Sequence, residues 1–350
     1  MEYKTLGRTR ISVSAIGLGC EGFIGMTEGQ TCRQMDYAIK KGINFIDMYS
    51  SNPDLRINIG KALKGRREQF VIQGHICTAW ENNQYLRTRD LDKTKAAFEE
   101  QLRLLQTDYL DIGMIHYIDD EEDFHHVFNG PIMQIDVLLF SIYPCYDMQP
   151  ATENVEDLWA EENYARELHN IDPERERLYE LCEQSGVGID VMKVYGGGDL
   201  LSEANSPFGK AFTPAQCIEY ALTRPGVASV MIGCRNCEDV EAATAWSDAT
   251  KEERDYTSIM QRADRFSWQG HCMYCGHCAP CSVGIDIASV NKYYNLTVAE
   301  GFVPETVREH YKVLPHHASE CIRCGKCEKN CPFGVDIREH MRKAEIQFGY

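Results

Sequence analysis

Eight of the sixteen cysteines in this 350-residue chain lie in two short runs near the C-terminus. The first run contains Cys272, Cys275, Cys278 and Cys281, and the second contains Cys321, Cys324, Cys327 and Cys331, with Pro332 directly after it. The spacing of the second run is typical of the bacterial ferredoxin pattern for a [4Fe-4S] cluster. The two runs therefore predict two [4Fe-4S] clusters with these eight cysteines as ligands.

The spacing also indicates which thiolates share a cluster. In two-cluster ferredoxins three closely spaced cysteines bind one cluster, and the fourth ligand comes from the other run. We therefore expect Cys331 to complete the cluster of the first run and Cys281 to complete the cluster of the second. The first run departs from the pattern, since only two residues precede its last cysteine and Ser282 stands where proline is expected.

Zinc and disulfides are the alternative uses of clustered cysteines. Zinc sites usually take their ligands as two pairs, which four consecutive cysteines fit poorly. The chain opens with a polar segment rather than a secretory signal, and it has no apolar stretch of membrane-spanning length. We therefore expect a cytoplasmic protein with reduced thiols and no membrane contact.

The negative charge is concentrated in the first part of the chain. The formal net charge is −17, but residues 263–350 contain ten acidic and ten basic residues. The acidity therefore belongs to residues 1–262. Such a surface argues against nucleic acid or an anionic membrane as a partner, because both require a positive patch.

Predicted strands and helices alternate regularly along the chain. These elements must position the cysteines and any site in the preceding part of the chain. After a predicted hairpin over residues 2–14 come seven apolar runs, each leading into an amphipathic helical stretch. The predicted strands are 15–20, 43–49, 69–75, 110–116, 137–144, 188–194 and 227–233. Alternating apolar strands and helices indicate an α/β fold with a parallel sheet, one strand short of a closed (β/α)8 barrel.

Several short motifs resemble those of the aldo/keto reductases. They are Thr-Leu-Gly-Arg-Thr (5–9), Ile-Gly-Leu-Gly (16–19), Gly-Ile-Asn-Phe-Ile-Asp (42–47), Asp-Tyr-Leu-Asp-Ile (108–112) and Met-Lys-Val-Tyr-Gly-Gly-Gly (192–198). The resemblance covers residues 3–250, and the remainder resembles the ferredoxin domain fused to one bacterial branch of the family. It implies a (β/α)8 TIM-type barrel over residues 1–262, followed by a two-cluster domain over 263–350. Because the family has a helix, a strand and a helix where this chain passes from Gln134 to Ile135, one β/α unit is expected to be missing there.

The resemblance also implies a catalytic tetrad of aspartate, tyrosine, lysine and histidine that reduces carbonyls with NADPH. Asp47 and His116 match the aspartate and the histidine, but the tyrosine position is Asn52 and the lysine position is His75. An asparagine amide does not donate a proton as a phenol does, so ordinary carbonyl reduction is not expected to proceed unchanged. Tyr49 lies two residues from Asp47 and either takes the place of the missing phenol or simply packs.

The same residues allow a second interpretation. Asp47, His75 and His116 should stand at the ends of three successive strands, where two histidines and a carboxylate match the facial triad of a non-haem metal ion. If they bind no metal ion, the two histidines are expected to donate protons or to line the pocket as hydrogen-bonded side chains.

Candidate nicotinamide contacts come late in the barrel. Arg235 and Asn236 precede a predicted helix and suit a phosphate group. Lys193, Gly196 and Gly197 follow the next-to-last strand, where a backbone can approach a pyrophosphate, although a glycine turn without a ligand explains them equally well.

Together these features predict an iron–sulfur oxidoreductase of an anaerobe. Two [4Fe-4S] clusters would couple one-electron transfer to reduction or oxidation of a small molecule at the barrel mouth, with NADP(H) as a candidate cofactor and a ferredoxin or other redox protein as a candidate partner. The alternatives are an NADPH-dependent carbonyl reductase with structural clusters and a non-catalytic electron-transfer or docking protein with a degenerate barrel.

Overall fold

The computed structural model describes residues 1–116, 118, 121–128, 135–149, 171–260, 272, 278–300, 302–303, 305–331 and 334–350. The chain divides into two compact units. The first comprises residues 1–142, 176–194 and 214–254, and the second comprises residues 143–175, 195–213 and 255–350. The predicted boundary between residues 262 and 263 lies outside the described residues and stays a prediction.

The first unit is built on a parallel sheet. The described strands are β1 Tyr3–Thr5, β2 Ser12–Ser14, β3 Ile16–Gly19, β4 Phe45–Met48, β5 Val71–Ile76, β6 Thr78–Glu81, β7 Gln84–Arg87, β8 Ile112–Ile115, β9 Val137–Ser141, β10 Gly188–Met192 and β11 Val227–Gly233. Within the described residues, seven of them form one sheet in the order β8-β5-β4-β3-β11-β10-β9, and all its pairs are parallel. Each apolar run of the sequence is therefore a strand, and the α/β class is confirmed.

The edges of this sheet are β8 and β9, which follow one another in the sequence. The predicted missing β/α unit would lie between them. Gln134 lies outside the described residues, so the missing unit stays a prediction.

The helices follow the predicted alternation. They are α1 Glu28–Lys40, α2 Pro53–Leu63, α3 Leu91–Leu105, α4 Glu121–Phe128, α5 Pro144–Asp147, α6 Pro173–Ser185, α7 Pro214–Leu222, α8 Cys237–Thr244, α9 Lys251–Arg254, α10 Thr257–Met260, α11 Ile287–Glu300, α12 Glu305–Lys312, α13 Lys326–Asn330 and α14 Ile337–Phe348. None of these described helices is long and apolar enough to cross a membrane.

Local sequence signals explain where the first helices begin. Thr27 and Gln30 form a capping box at α1, in which each side chain bonds the other residue's backbone N–H. Asp90 accepts a hydrogen bond from the Lys93 N–H at the start of α3. These caps fix the points at which the chain leaves the strands and turns back over the sheet.

The interior of the sheet is almost entirely apolar. Ile16, Leu18, Ile46, Ile189 and Val230 are completely buried, as expected for parallel strands that are covered on both faces. The buried polar side chains on these strands are therefore exceptions, and they lead to the candidate active site.

The second unit contains both cysteine runs. Its described core includes Tyr311, which stacks on Phe348 with a ring-centroid distance of 3.8 Å. Asn291 Oδ1 on α11 accepts a 2.7 Å hydrogen bond from His340 Nδ1–H on α14. These contacts hold three helices together beside the second cysteine run.

Candidate active site and cluster ligands

Asp47, His75 and His116 meet at the carboxyl ends of β4, β5 and β8, as the sequence predicts. His75 Nε2 lies 3.0 Å from Asp47 Oδ1, and His75 Nδ1 lies 2.9 Å from His116 Nδ1. All three side chains are buried, with at most 6% of each residue exposed. The parallel register explains the meeting, because Asp47 pairs with Gln73 and His75 pairs with Met114 across the sheet.

The three side chains form a line rather than a facial triad. His75 stands in the middle and uses one ring nitrogen for each neighbour. Within the part of the chain that the structure describes, no three His, Cys, Asp or Glu side chains are placed to hold a single metal ion. The geometry therefore favours proton transfer over metal binding at these residues.

The electrostatic environment keeps His116 neutral. Burial, followed by the nearby charges of His75 and Arg89, lowers the pKa of His116 to about 3, although Asp47 opposes the shift. Arg89 also donates to the His116 carbonyl at 2.9 Å and holds Asp123 through two hydrogen bonds of 2.6 and 2.8 Å. These contacts fix the backbone at the end of β8 and so position the His116 ring.

Two buried residues below Asp47 belong to the same network, and sequence reasoning missed both. The Gln73 amide nitrogen lies 3.1 Å from Asp47 Oδ1 and 2.9 Å from Asp190 Oδ2, and both Gln73 and Asp190 are completely buried. Burial raises the pKa of Asp190 well above its ordinary value, although the Gln73 hydrogen bond opposes the shift. A polar residue inside each of two apolar strands was the signal that could have found them.

Aromatic rings cover the histidine pair. The Tyr49 ring centroid lies 5.4 Å from that of His75 and 5.0 Å from that of His116, and Tyr85 lies 5.8 Å from His116. Tyr49 therefore lies beside the predicted site, as its position after Asp47 indicates. Tyr85 was missed by sequence reasoning.

Tyr85 reaches the site from a hairpin formed by β6 and β7. Asn82 and Asn83 form the turn, and both have positive φ, at 53° and 62°. Such a two-residue turn is typical of a tight hairpin, and a pair of asparagines between alternating residues was the available signal.

Asn52 has a structural role at the position where the resemblance implies a tyrosine. Its side-chain oxygen accepts a 3.0 Å hydrogen bond from the Leu55 N–H and caps α2, whose first residue is Pro53. His75, at the position of the implied lysine, takes over the contact with Asp47.

The five candidate nicotinamide residues are not brought together by one element. Asn236 caps α8 by accepting from the Asp239 N–H at 2.8 Å, and the Arg235 N–H donates to the Asp239 carboxylate, also at 2.8 Å. Lys193 has a φ of 58° just after β10, whereas Gly196 and Gly197 lie in the second unit with φ of 61° and 74°. The cofactor-binding role of all five stays a prediction.

A cavity in the second unit is lined by cysteines of both runs. Cys281, Cys321, Cys324 and Cys327 all contribute to its wall. These are the four residues that the sequence predicts for one cluster, including the single ligand from the other run. Four thiols around an open space suit a cubane cluster, in which each thiolate binds a different iron atom.

The backbone around this cavity is shaped for sulfur ligands. The Arg323 N–H donates to Cys321 Sγ at 3.4 Å, and the Ser282 hydroxyl lies 3.9 Å from Cys324 Sγ. The N–H of Lys326, followed by the Ser282 hydroxyl, holds the pKa of the Cys324 thiol below its ordinary value. Gly325, with a φ of 72°, makes the tight turn between Cys324 and Cys327.

The ligands predicted for the other cluster are described only in part. Cys275 lies outside the described residues, and Cys272, Cys278 and Cys331 do not line the cavity. Their assignment stays a prediction.

Comparison with known proteins finds a family match for each of two separate parts of the chain. Residues 15–161 match the aldo/keto reductase family, and residues 271–336 match the 4Fe-4S dicluster domain. The aldo-keto reductase YhdN of Bacillus subtilis (strain 168) is 33% identical over 129 residues, which cover 34% of this chain and 39% of that protein. Protein tas of Escherichia coli (strain K12) is 29% identical over 133 residues, which cover 33% of this chain and 38% of that protein. The chain thus spans about two fifths of the length of these curated relatives.

The fold is similar to that of a solved aldo-keto reductase from Bacillus halodurans in its holo form. The TM-score is 0.54 at 22% sequence identity, and the match covers 75% of this chain and 97% of the other. This likeness concerns the fold alone, and it confirms the barrel-type architecture that the sequence predicts.

Proposed function

Because the chain joins an aldo/keto reductase domain to a 4Fe-4S dicluster domain, we propose that it is an iron–sulfur oxidoreductase. In this proposal, two [4Fe-4S] clusters would carry single electrons to or from a small molecule that is reduced or oxidised beside Asp47, His75 and His116. A cytoplasmic location belongs to the same proposal, since the ligand thiols must stay reduced.

The observation that carries the proposal is the shared cysteine cavity. Cys281 belongs to the first run, yet it lines the same cavity as Cys321, Cys324 and Cys327. Neither zinc nor a disulfide requires four thiols from two runs around one open space, whereas crossed ligation in a two-cluster domain does. When bound there, a [4Fe-4S] cluster supplies one-electron transfer.

The line of three side chains in the barrel supplies the proton chemistry. Asp47 accepts a hydrogen bond from His75 Nε2–H, which leaves His75 Nδ1 as the acceptor of the His116 Nδ1–H. In this arrangement, His116 Nε2 is the ring nitrogen of His116 that carries no proton. A proton taken up at His116 Nε2 moves the Nδ1 proton to His75, and the charge then rests beside the Asp47 carboxylate.

This relay works in both directions. Reduction of a small molecule by two electrons requires two single-electron transfers and protons to balance the new charge. His116 Nε2 gives one proton when His75 carries the positive charge, and Asp47 stabilises the charged state before the transfer. The rings of Tyr49 and Tyr85 border His116, and their phenols are candidate further proton donors.

Two features favour this mechanism over simple NADPH-dependent carbonyl reduction. The position of the implied tyrosine is a helix cap, and the side chain of Asn236 is engaged in a second cap. NADP(H) remains part of the proposal only as a candidate electron source, with Lys193, Gly196, Gly197, Arg235 and Asn236 as its candidate contacts.

Anaerobic purification with counts of iron and inorganic sulfide tests the cluster assignment. Wild-type protein should contain two clusters. Cys281→Ser should lose one of them, because Cys281 is a ligand of only one of the two predicted clusters. Cys237→Ser is the matched control, since this cysteine lies on α8 and outside both runs. Zinc in place of iron, or a wild-type protein without sulfide, would refute the assignment.

The electron source separates the proposed function from its alternatives. Reduced ferredoxin, NADPH and NADH are added in turn to the oxidised protein, and bleaching of the cluster absorption is recorded. Bleaching by ferredoxin supports the proposal. Hydride transfer from NADPH that survives Cys324→Ser would instead support a carbonyl reductase with structural clusters. Cluster reduction without turnover of any small molecule would indicate an electron carrier.

A further inference from the structure

The rim of the cysteine cavity has a charge opposite to that of the chain as a whole. Arg323, Lys326 and Arg338 line the cavity, although the chain carries a net charge of −17. Arg338 is paired with Glu328 at 2.8 Å, but neither Arg323 nor Lys326 forms an ion pair with any described residue. The cavity is therefore bordered by two exposed cations that have no carboxylate partner among the described residues.

The same rim exposes apolar surface and a candidate ligand. Ile322 is 62% exposed, although it lies between two cysteines of the second run. Cys324 is also exposed, whereas Cys327 is buried. An exposed apolar residue with cations around it is the usual anatomy of a small, transient protein interface.

We propose that this rim, formed by Ile322, Arg323, Lys326 and Arg338, is the docking surface for an acidic one-electron carrier protein of the ferredoxin class. The inference rests on the proposed function and adds to it the place where electrons enter. Cys281, Cys321, Cys324 and Cys327 would hold the cluster that accepts one electron from the reduced carrier. The carrier would be oxidised by one electron and the cluster reduced by one, with no bond or proton exchanged.

Charge complementarity selects an acidic partner. The surplus negative charge of residues 1–262 repels an acidic protein, while the cation pair beside the cavity attracts it. Electrostatic complementarity of this kind acts mainly on the association rate and on the choice of partner. A basic or neutral carrier would gain nothing from Arg323 and Lys326.

Reversal of the two free cations tests the docking surface. We expect Arg323→Glu/Lys326→Glu to slow association with a reduced, acidic two-[4Fe-4S] ferredoxin roughly tenfold or more at low ionic strength, and the difference should shrink as salt is added. Lys251→Glu/Lys312→Glu is the matched control, because both lysines are exposed, lie outside the cavity wall and give the same change in net charge. Stopped-flow absorption gives the association rate and calorimetry gives the Kd.

Iron content and reduction by dithionite are measured on every variant, so that loss of a cluster is not mistaken for loss of docking. The inference is supported if only the rim variant binds slowly while all variants keep dithionite-reducible clusters. Equal rates for the rim variant and the wild type, or equal slowing in the control, would overturn it. If the wild type has reducible clusters but does not bind the ferredoxin, the docking surface is refuted and the proposed function stands. A wild type without clusters refutes both.

Discussion

The buried histidine at the end of β8 gives the protein a specific dependence of stability on pH. The folded barrel holds His116 neutral with a pKa of about 3, whereas a histidine in the unfolded chain titrates near pH 6.5. As the pH falls below about 6.5, the unfolded state therefore takes up a proton that the folded state does not. The stability is full above this pH and is lost as the pH falls toward the folded value.

The size of the effect follows from the two values. At about pH 5, protonation of His116 in the unfolded chain shifts the folding equilibrium roughly 30-fold toward the unfolded state. This lowers the free energy of unfolding by about 2 kcal/mol. At about pH 7.5 the same contribution is close to zero. His116→Gln has no titrating ring. As the pH falls from about 7.5 to about 5, we therefore expect its free energy of unfolding to decrease by about 2 kcal/mol less than that of the wild type.

Urea denaturation of the full chain under anaerobic conditions, followed by circular dichroism at both pH values, measures the difference. The general cost of removing the contact with His75 is present at both pH values and cancels in the comparison. His126→Gln on α4 is the control, because it removes an exposed histidine and should keep the wild-type pH dependence. If His116→Gln loses as much stability as the wild type between the two pH values, His116 is not a buried neutral histidine.

Three further substitutions test the structure around the site. Asp190→Asn should become more stable relative to the wild type as the pH rises above about 4, because burial raises the pKa of Asp190 and the unfolded chain then loses this proton more readily than the folded chain. Denaturation midpoints at several pH values measure this, and a difference that does not change with pH would contradict a raised pKa of Asp190. Asn52→Ala should lower the free energy of unfolding by about 1 kcal/mol through loss of the α2 cap, and no change would show that Asn52 does not cap the helix. Gly60→Ala should lower the melting temperature and the free energy of unfolding, the latter by about 1–3 kcal/mol, because the new Cβ would lie 2.6 Å from the Leu104 carbonyl oxygen. Gly29→Ala in α1 is the control: its Cβ would meet only the end of a flexible arginine, so it should be neutral or stabilising.

The positions of the sheet strands were largely readable from the sequence. Near-continuous apolar runs in parallel sheets are long and distinctive, so all seven were recognised. The hairpin of β6 and β7 was missed because its strands are short and half exposed, which leaves only the Asn82-Asn83 turn as a signal.

The active-site network depended on information that a single strand does not contain. Gln73 precedes His75 by two residues and bonds both Asp47 and Asp190, which lie on different strands and far apart in the sequence. The register between neighbouring strands sets such distances, and a shift of one residue would turn each side chain to the other face.

The amino-acid sequence alone determined which segments become strands and that two members of the implied tetrad are replaced, and it predicts which eight cysteines bind the clusters. Only the tertiary structure decided that His75 joins Asp47 to His116 and that Asn52 caps a helix. The physical reason is that patterns along a chain report hydrophobic periodicity and local turns, whereas hydrogen bonds between distant side chains require angstrom-scale positions that arise only when all the elements pack together.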